Sequence, residues 1–425
     1  MPFKVYTTLE PVPLPLTFDV SGPPTSELNL SNLSRLTYFS NGVTRVLRGM
    51  AFRAAACTGA LFHIELYLVS GELDDLAAGV YHYGAHDNAL RRLRAGDFRR
   101  CVIDATGGEA AVSEAPVVLV LTSTWWRNAW KYEARAYRHA FWDGGTVLAN
   151  LLSVASGQDI RARVVVGFAD PEVNRLLDVD PSQEAAIALV AVGRGSAPEP
   201  ATTPAIPALG LPTRRLSPRQ VDYPEIIAAH AASSLADGAA AAHWRAQQSP
   251  PLPPQQAPPL PLGEASSRGD GGPRESIERV ILRRGSSRRF SHAAISREQL
   301  QTLLVAATSP FEIDAFVACD LYLIVNAVED LAPGAYVLNR GSRELQLLHA
   351  GDFRRQATYL DLGQPLAGDA ALNAYWLVNL EPLDDRAYRA AQLSAAIEAG
   401  KLYLAAYALG LGATGLTFFD DDVTH

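Results

Sequence analysis

The chain has 425 residues, 48% hydrophobic and 19% charged, long enough for two or three cores and too apolar for wholesale disorder. A net charge of −8 without a basic stripe argues against a nucleic-acid binder, and no apolar run approaches the roughly 18 residues that span a bilayer. The start has no signal-peptide core, and Cys57, Cys101 and Cys319 are too few and scattered for a disulfide framework or a zinc site. A cytoplasmic protein with no metal, nucleic-acid or membrane partner is therefore expected.

In chain order, Asn29 or Ser31 starts a helix with Leu33, Leu36 and Phe39 inward. Apolar, β-branched runs at 64–69 and 117–122 predict strands, and 79–83 and 90–93 flank a polar turn that reads as a hairpin. A small-residue helical stretch follows at 145–156, then the turn Phe168-Ala169-Asp170 and a closing strand over 187–193. Residues 196–274 differ in character. Their proline runs favour an extended linker or an SH3-type ligand, and 223–245 is alanine-rich enough for a helix. A helix at 276–282 comes next. Ser296 then opens another, with Gln299 at capping-box spacing and Leu300, Leu303 and Leu304 on one face. Strands are predicted at 321–325, 335–338 and 375–380, and a helix at 400–409.

The chain repeats itself. Residues 66–100 and 321–355 share 16 of 35 positions without a gap, at a constant offset of 255. Arg135-Ala136-Tyr137-Arg138 likewise matches Arg386-Ala387-Tyr388-Arg389. Two homologous α+β domains in tandem follow: 1–195, a Pro/Ala-rich linker over 196–274, and 275–425. The second copy ends before a counterpart of the closing strand, and the first has only Pro-punctuated sequence before Asn29. A truncated second domain with an exposed sheet edge is the expectation, and an in-frame extension should gain solubility.

Arg284-Gly285-Ser286-Ser287-Arg288-Arg289-Phe290 follows the helix at 276–282. In an extended segment Arg284, Ser286 and Arg288 share one side, a grip for phosphate or else a solvated basic turn. Only Lys4, Lys131 and Lys401 are lysines, against 34 arginines, and of the two residue types only lysine readily gives up its proton. Lys131 and Tyr132 stand among Trp125, Trp126, Trp130 and Tyr137. Lys131 reads either as a base made available by desolvation or as a stem packed on aromatics with its head in water. Cys57 reads as a reactive thiol or a small buried residue, and His63 with Glu65 as an acid–base pair or a structural one.

Arg284-x-Ser286-x-Arg288-x-Phe290 resembles the FMN-phosphate signature of the nitroreductase-like flavoenzymes. Ala56-Cys57-Thr58-Gly59-Ala60-Leu61-Phe62-His63-Ile64-Glu65-Leu66-Tyr67 is similar to the Pro-Ser-Ala-Gly-Ala-Leu-Tyr-Pro-x-Glu-Leu-Tyr segment of their SagB/ThcOx-type branch. Lys131-Tyr132-Glu133-x-Arg135-x-Tyr137-Arg138 resembles that branch's Lys-Tyr-x-x-Arg-x-Tyr-Arg stretch. The resemblance implies two α+β domains, each with a mainly antiparallel central sheet flanked by helices, paired within the chain as a pseudo-dimer.

It also implies two-electron chemistry through FMN. Arg284, Ser286 and Arg288 of the second copy would hold the phosphate, and Thr58, Gly59 and Leu61 of the first would cover the flavin in one composite site. Lys131 and Tyr132 would serve dehydrogenation of peptide azolines, with a small-molecule or peptide substrate and a cyclodehydratase as partner. A generic NAD(P)H-dependent nitroreductase and a scaffold that lost its chemistry are the alternatives. The departures are Ala56-Cys57 for Pro-Ser, His63 for Pro, no arginine motif in the first copy, and Pro382-Leu383 and Ile313-Asp314-Ala315 in the second.

Overall fold

An eight-stranded sheet organises the first unit in the computed structural model of the chain, which describes residues 3–17, 28–195, 202, 204–248, 260–261, 275–315, 319–419 and 421–424. This unit takes in Met1–Ser249, Phe311–Phe316 and Leu383–Ile397. The strand order is Pro11–Pro13, Ala89–Ala95, Gly79–Gly84, Ile64–Ser70, Val117–Thr124, Glu184–Val192, Ala162–Val165 and Glu312–Ile313. All pairs are antiparallel except the last, where Glu312–Ile313 runs parallel to Arg163 and Val164.

The central strands are buried along their whole length because both faces are covered. Tyr67, Val69, Val118, Val120 and Leu189 pack on one face with Val102, Val112, Phe168 and Leu176, from three short helices and the turn before the last of them. Helices Leu30–Asn41 and Ala136–Gly157 pack on each other and against the sheet. Asn29 caps the first of these by accepting from Asn32 N, and Leu33 and Leu36 are fully buried as their spacing predicts.

Among the described residues of this unit five carboxylates lie buried, and each fastens a separate piece of chain. Glu184 takes hydrogen bonds from Lys4 Nζ (2.8 Å), Tyr67 Oη (2.8 Å) and Thr122 Oγ1 (2.7 Å), anchoring the N-terminal arm. Glu65 pairs with Arg53, Arg127 and His82. Asp143 holds the 57–63 segment. Asp170 pairs with Arg386 and Arg389, each at 2.6 Å, and accepts from Leu235 N. Asp314 accepts from Val166 N (2.7 Å) and Gly167 N (3.0 Å).

Burial pushes every one of these carboxyls up. For the first four, cationic or hydrogen-bonding partners outweigh it and hold them below the usual carboxylate range. Asp314, bonded mainly by neutral amides, stays raised by its burial.

The expected linker over 196–274 is more than a linker. Its alanine-rich part forms two helices, Pro224–Ala232 and Gly238–Ala246, where one was expected; Asp237 breaks the run by capping the second. Ile226, His230, Ala241 and Trp244 bury in the first unit. The proline run 249–259 lies outside the described residues, but Leu260–Pro261 forms a strand on Leu345 and Glu344. In the first unit Val12 and Pro13 pair in the same way with Leu90 and Ala89. Pro259-Leu260-Pro261-Leu262 thus repeats Pro11-Val12-Pro13-Leu14, and the repeat begins earlier than 275.

The second unit takes in Pro250–Pro310, Val317–Pro382 and Glu398–His425. Its sheet runs Leu260–Pro261, Glu344–Ala350, Gly334–Asn339, Asp320–Val325 and Leu372–Leu377, all antiparallel. The strand expected at 375–380 sits three residues earlier, because pairing sets Leu372 opposite Val325. Ser296 and Gln299 form the full capping box, and Leu300, Leu303 and Leu304 pack on Leu321, Leu323 and Val325. The helix Asp385–Ala408 passes from the first unit, up to Ile397, into the second.

Around Asp170, His230 is 3% exposed, and among the described residues neither ring nitrogen has a hydrogen-bond partner. Burial and the neighbouring Arg389 push its pKa down to about 3. A depressed folded pKa means His230 stabilises while neutral, and that contribution is lost as pH falls from the unfolded value near ~6.5. Between pH 6 and 4.5, the wild type should lose about 1.4 kcal/mol per pH unit more than His230→Leu, measured by urea unfolding.

Candidate functional site

Strand Val117–Thr124 passes directly into helix Trp125–Tyr132, whose last two residues are Lys131 and Tyr132. The helix stops at Glu133, which takes φ +51°, and a short turn leads into helix Ala136–Gly157. Tyr132 meets His139 edge-on at 4.8 Å, and His139 Nδ1 is 2.8 Å from Asn128 Oδ1. Lys131 Nζ lies 5.1 Å from the centre of the Tyr132 ring.

The segment 57–62 comes against this pair. Three of its residues, in and just after the turn Thr58–Ala60, are left-handed: Gly59 (φ +62°), Ala60 (+54°) and Phe62 (+48°). A Cβ on Gly59 would stand 2.7 Å from Tyr132 Oη and 3.4 Å from Lys131 Nζ. The loop and the Lys-Tyr pair, more than seventy residues apart in sequence, therefore form one site. Left-handed non-glycine residues are uncommon, and strain of this kind persists only where the surroundings impose it.

Asp143, which no sequence signal marked, imposes it here. Its carboxylate accepts from Thr58 N (2.9 Å) and Thr58 Oγ1 (2.9 Å), lies 2.8 Å from His63 Nε2, and accepts from Cys57 Sγ (3.1 Å). One turn further along the helix, Thr146 Oγ1 donates to Ala56 O at 2.6 Å. At the far end Arg127 Nη1 donates to Phe62 O (2.8 Å) and pairs with Glu65. Both ends of the segment are tied, while Gly59 and Ala60 are exposed between them.

Several expectations change. Lys131 and Trp130 are exposed, and Trp125 is buried elsewhere, against Tyr137 and His230, so Lys131 is not enclosed by aromatics. Thr58 is buried with both its donors committed to Asp143, so it shapes the loop from within. His63 and Glu65 do not pair: His63 joins Asp143 and Ser123 (2.9 Å), and Glu65 joins two arginines and His82. Cys57 is raised well above the usual thiol range by burial and by Asp143, which keeps it a donor to that carboxylate. Ser123, His63 and Asp143 have the connectivity of a hydrolase triad, but all three are buried away from any substrate.

In the second unit the arginine segment is clamped by the Asp385–Ala408 helix and the stretch after it. Tyr403 Oη donates to Gly285 O (2.6 Å) and lies 2.9 Å from Ser286 Oγ, and its ring lies 5.3 Å from the Arg284 guanidinium. Ser287 N donates to Ala413 O at 2.9 Å. Arg284 is buried, whereas Ser286 and Arg288 are exposed, so the three do not share one open side.

Neither half of the first unit's site recurs. Among the described residues the second copy has no helix matching Trp125–Tyr132; residues 378–384 form a turn around Pro382. The residues aligned with Thr58-Gly59-Ala60 are Ile313-Asp314-Ala315. Ile313 pairs with Val164 at the edge of the first unit's sheet, where Asp314 caps two backbone amides.

Comparison with known proteins agrees with this layout. The Nitroreductase family pattern matches residues 54–194 and again 281–425. A Methanocaldococcus jannaschii protein assigned to the nitroreductases is 25% identical over 169 residues, 40% of this chain and 82% of its own length. The microcin B17-processing protein McbC of Escherichia coli is 28% identical over 127 residues, covering 29% of this chain and 47% of McbC. A crystal structure of an Anabaena variabilis protein, also assigned to the nitroreductases, superimposes with a TM-score of 0.82 at 26% identity, spanning 100% of this chain and 90% of that one.

Gly59→Ala should be costly twice over, through its left-handed backbone and through the clash with Tyr132. The backbone term alone is about 1–2 kcal/mol. Gly108 is also left-handed (φ +73°) but has open space around it, so Gly108→Ala carries only that term. Denaturant unfolding should show Gly59→Ala as the more destabilised of the two, and the difference reads the Tyr132 contact.

Proposed function

The chain belongs to the nitroreductase family as a tandem-domain oxidoreductase, and from that premise we propose that it uses FMN to dehydrogenate a peptide azoline to an azole. The observation that carries the reading is the contact of the Gly59 turn with Lys131 and Tyr132. A glycine backbone exposed beside a cationic amine and a phenol suits a flat ring approached by substrate from the same side. The similarity to a microcin B17-processing protein supports a peptide substrate and, with it, a cyclodehydratase partner that would form the azoline.

Each unit, taken by itself, carries residues whose chemistry suits a part of the cofactor. Ser286 and Arg288 present a hydroxyl and a guanidinium to solvent on a segment held rigid by Tyr403 and Ala413, a donor set suited to phosphate. Arg284 would support them from beneath, and Gly59 and Leu61 would face the flavin ring, with Thr58 fixing their backbone. When bound, FMN supplies a two-electron acceptor. Azoline-to-azole conversion removes one hydride and one proton from the ring. Lys131, once its ammonium has released a proton to solvent, would take the proton from the ring carbon through Nζ, and the Tyr132 hydroxyl would orient the substrate beside it.

Two substitutions test this. Arg288→Ala removes a charge-assisted hydrogen bond, so FMN affinity by fluorescence titration should fall about ten- to a hundredfold. Lys131→Met should keep FMN affinity and slow azoline oxidation by roughly 10²–10⁴, with Tyr132→Phe milder. Unchanged azoline turnover in Lys131→Met would favour a generic NAD(P)H-dependent nitroreductase instead.

A further inference from the structure

We propose that Asp143 is a positioning residue of the flavin site: it sets the backbone of the Thr58–Ala60 turn so that Gly59 meets Lys131 and Tyr132. The inference rests on the flavin reading above and adds a residue that no motif contains.

Three observations carry it. The first is saturation. A carboxylate has about four acceptor sites, and here Thr58 N, Thr58 Oγ1, Cys57 Sγ and His63 Nε2 all lie between 2.8 and 3.1 Å. The four groups come from one short stretch, 57–63, so a single side chain determines its path.

The second observation is where the constraint stops. Ala56, Thr58 and Phe62 are tied to helices or to Asp143. Between them, the backbone bonds of Ala60 and Leu61 stay within the turn, Ala60 N to Cys57 O (3.0 Å) and Leu61 N to Thr58 O (3.3 Å). Fixed ends with an open, left-handed middle are what a backbone surface for a ligand requires.

The third is an internal control. At the offset of 255, Cys57, Thr58 and His63 become Glu312, Ile313 and Ala318. At the offset of 251 set by Arg135 and Arg386, Asp143 becomes Ser394. The carboxylate and its partners vanish together in the copy that also lacks Gly59, Lys131 and Tyr132. The general fold of that copy survives without them, as its five-stranded sheet shows. Asp143 therefore goes with the site and not with the fold.

The test compares full-length wild type with Asp143→Asn, whose amide cannot satisfy the same four donors. Hydrogen–deuterium exchange of the peptide 56–64, without flavin, should accelerate about tenfold or more. FMN titration should weaken about tenfold. The visible circular dichroism of FMN at saturation should change, because the ring would meet a different backbone; a merely structural role would leave that signature intact. Ser123→Ala, which removes the other partner of His63, should leave exchange in 56–64 near wild type. If Asp143→Asn does not fold, Thr58→Val removes one donor and should move the same readouts in the same direction.

Unchanged exchange overturns the inference, as does faster exchange with unchanged FMN affinity and dichroism. A wild-type protein that binds no FMN would instead overturn the flavin reading, and the two failures are separable in one set of titrations.

Discussion

A charge taken out of water has to find partners, and the first unit is organised by that requirement. Glu65, Asp143, Asp170, Glu184 and Asp314 are all at most 6% exposed. Breaking one partner of such a buried group leaves an uncompensated charge, at a penalty of about 3–5 kcal/mol. Each carboxylate therefore dictates where a piece of chain lies. Lys4 brings the N-terminal arm to Glu184, Arg386 and Arg389 bring residues 383–397 to Asp170, and Asp314 brings 311–315 to the sheet edge.

The same requirement shapes the site. Asp143 holds both ends of the 57–63 segment directly, and Glu65 adds a second hold on the far end through Arg127. Arg127 also lies on the helix that ends in Lys131 and Tyr132. The loop and the Lys-Tyr pair are thus fixed through shared buried charges, by groups that never meet solvent.

Much of this was legible in the sequence and some could not be. The capping box at Ser296, the helix from Asn29, the hairpins and the 255-residue offset follow from local rules and appeared where they were expected. The Lys-Tyr pair and the Gly59 turn were legible as residues, and their meeting was not. Asp143 sits in a small-residue helix with no motif, and its partners lie some eighty residues away. Arg386 and Arg389 were visible as a repeat of Arg135 and Arg138, but nothing local shows that Asp170 receives them. Lys131 was expected among aromatics because Trp125 and Trp130 are near in sequence; helical geometry sends Trp125 inward and leaves Trp130 and Lys131 outside.

The two copies have diverged by giving up different parts. The first holds the glycine turn and the Lys-Tyr helix. The second holds the arginine segment, and where the first has its turn it has the end of the short strand Glu312–Ile313, with Asp314 in place of Gly59. The flavin reading proposed above predicts one FMN per chain. Purified protein saturated with FMN, desalted, denatured and assayed for released flavin should yield one FMN per chain. Two per chain, or none, would contradict it.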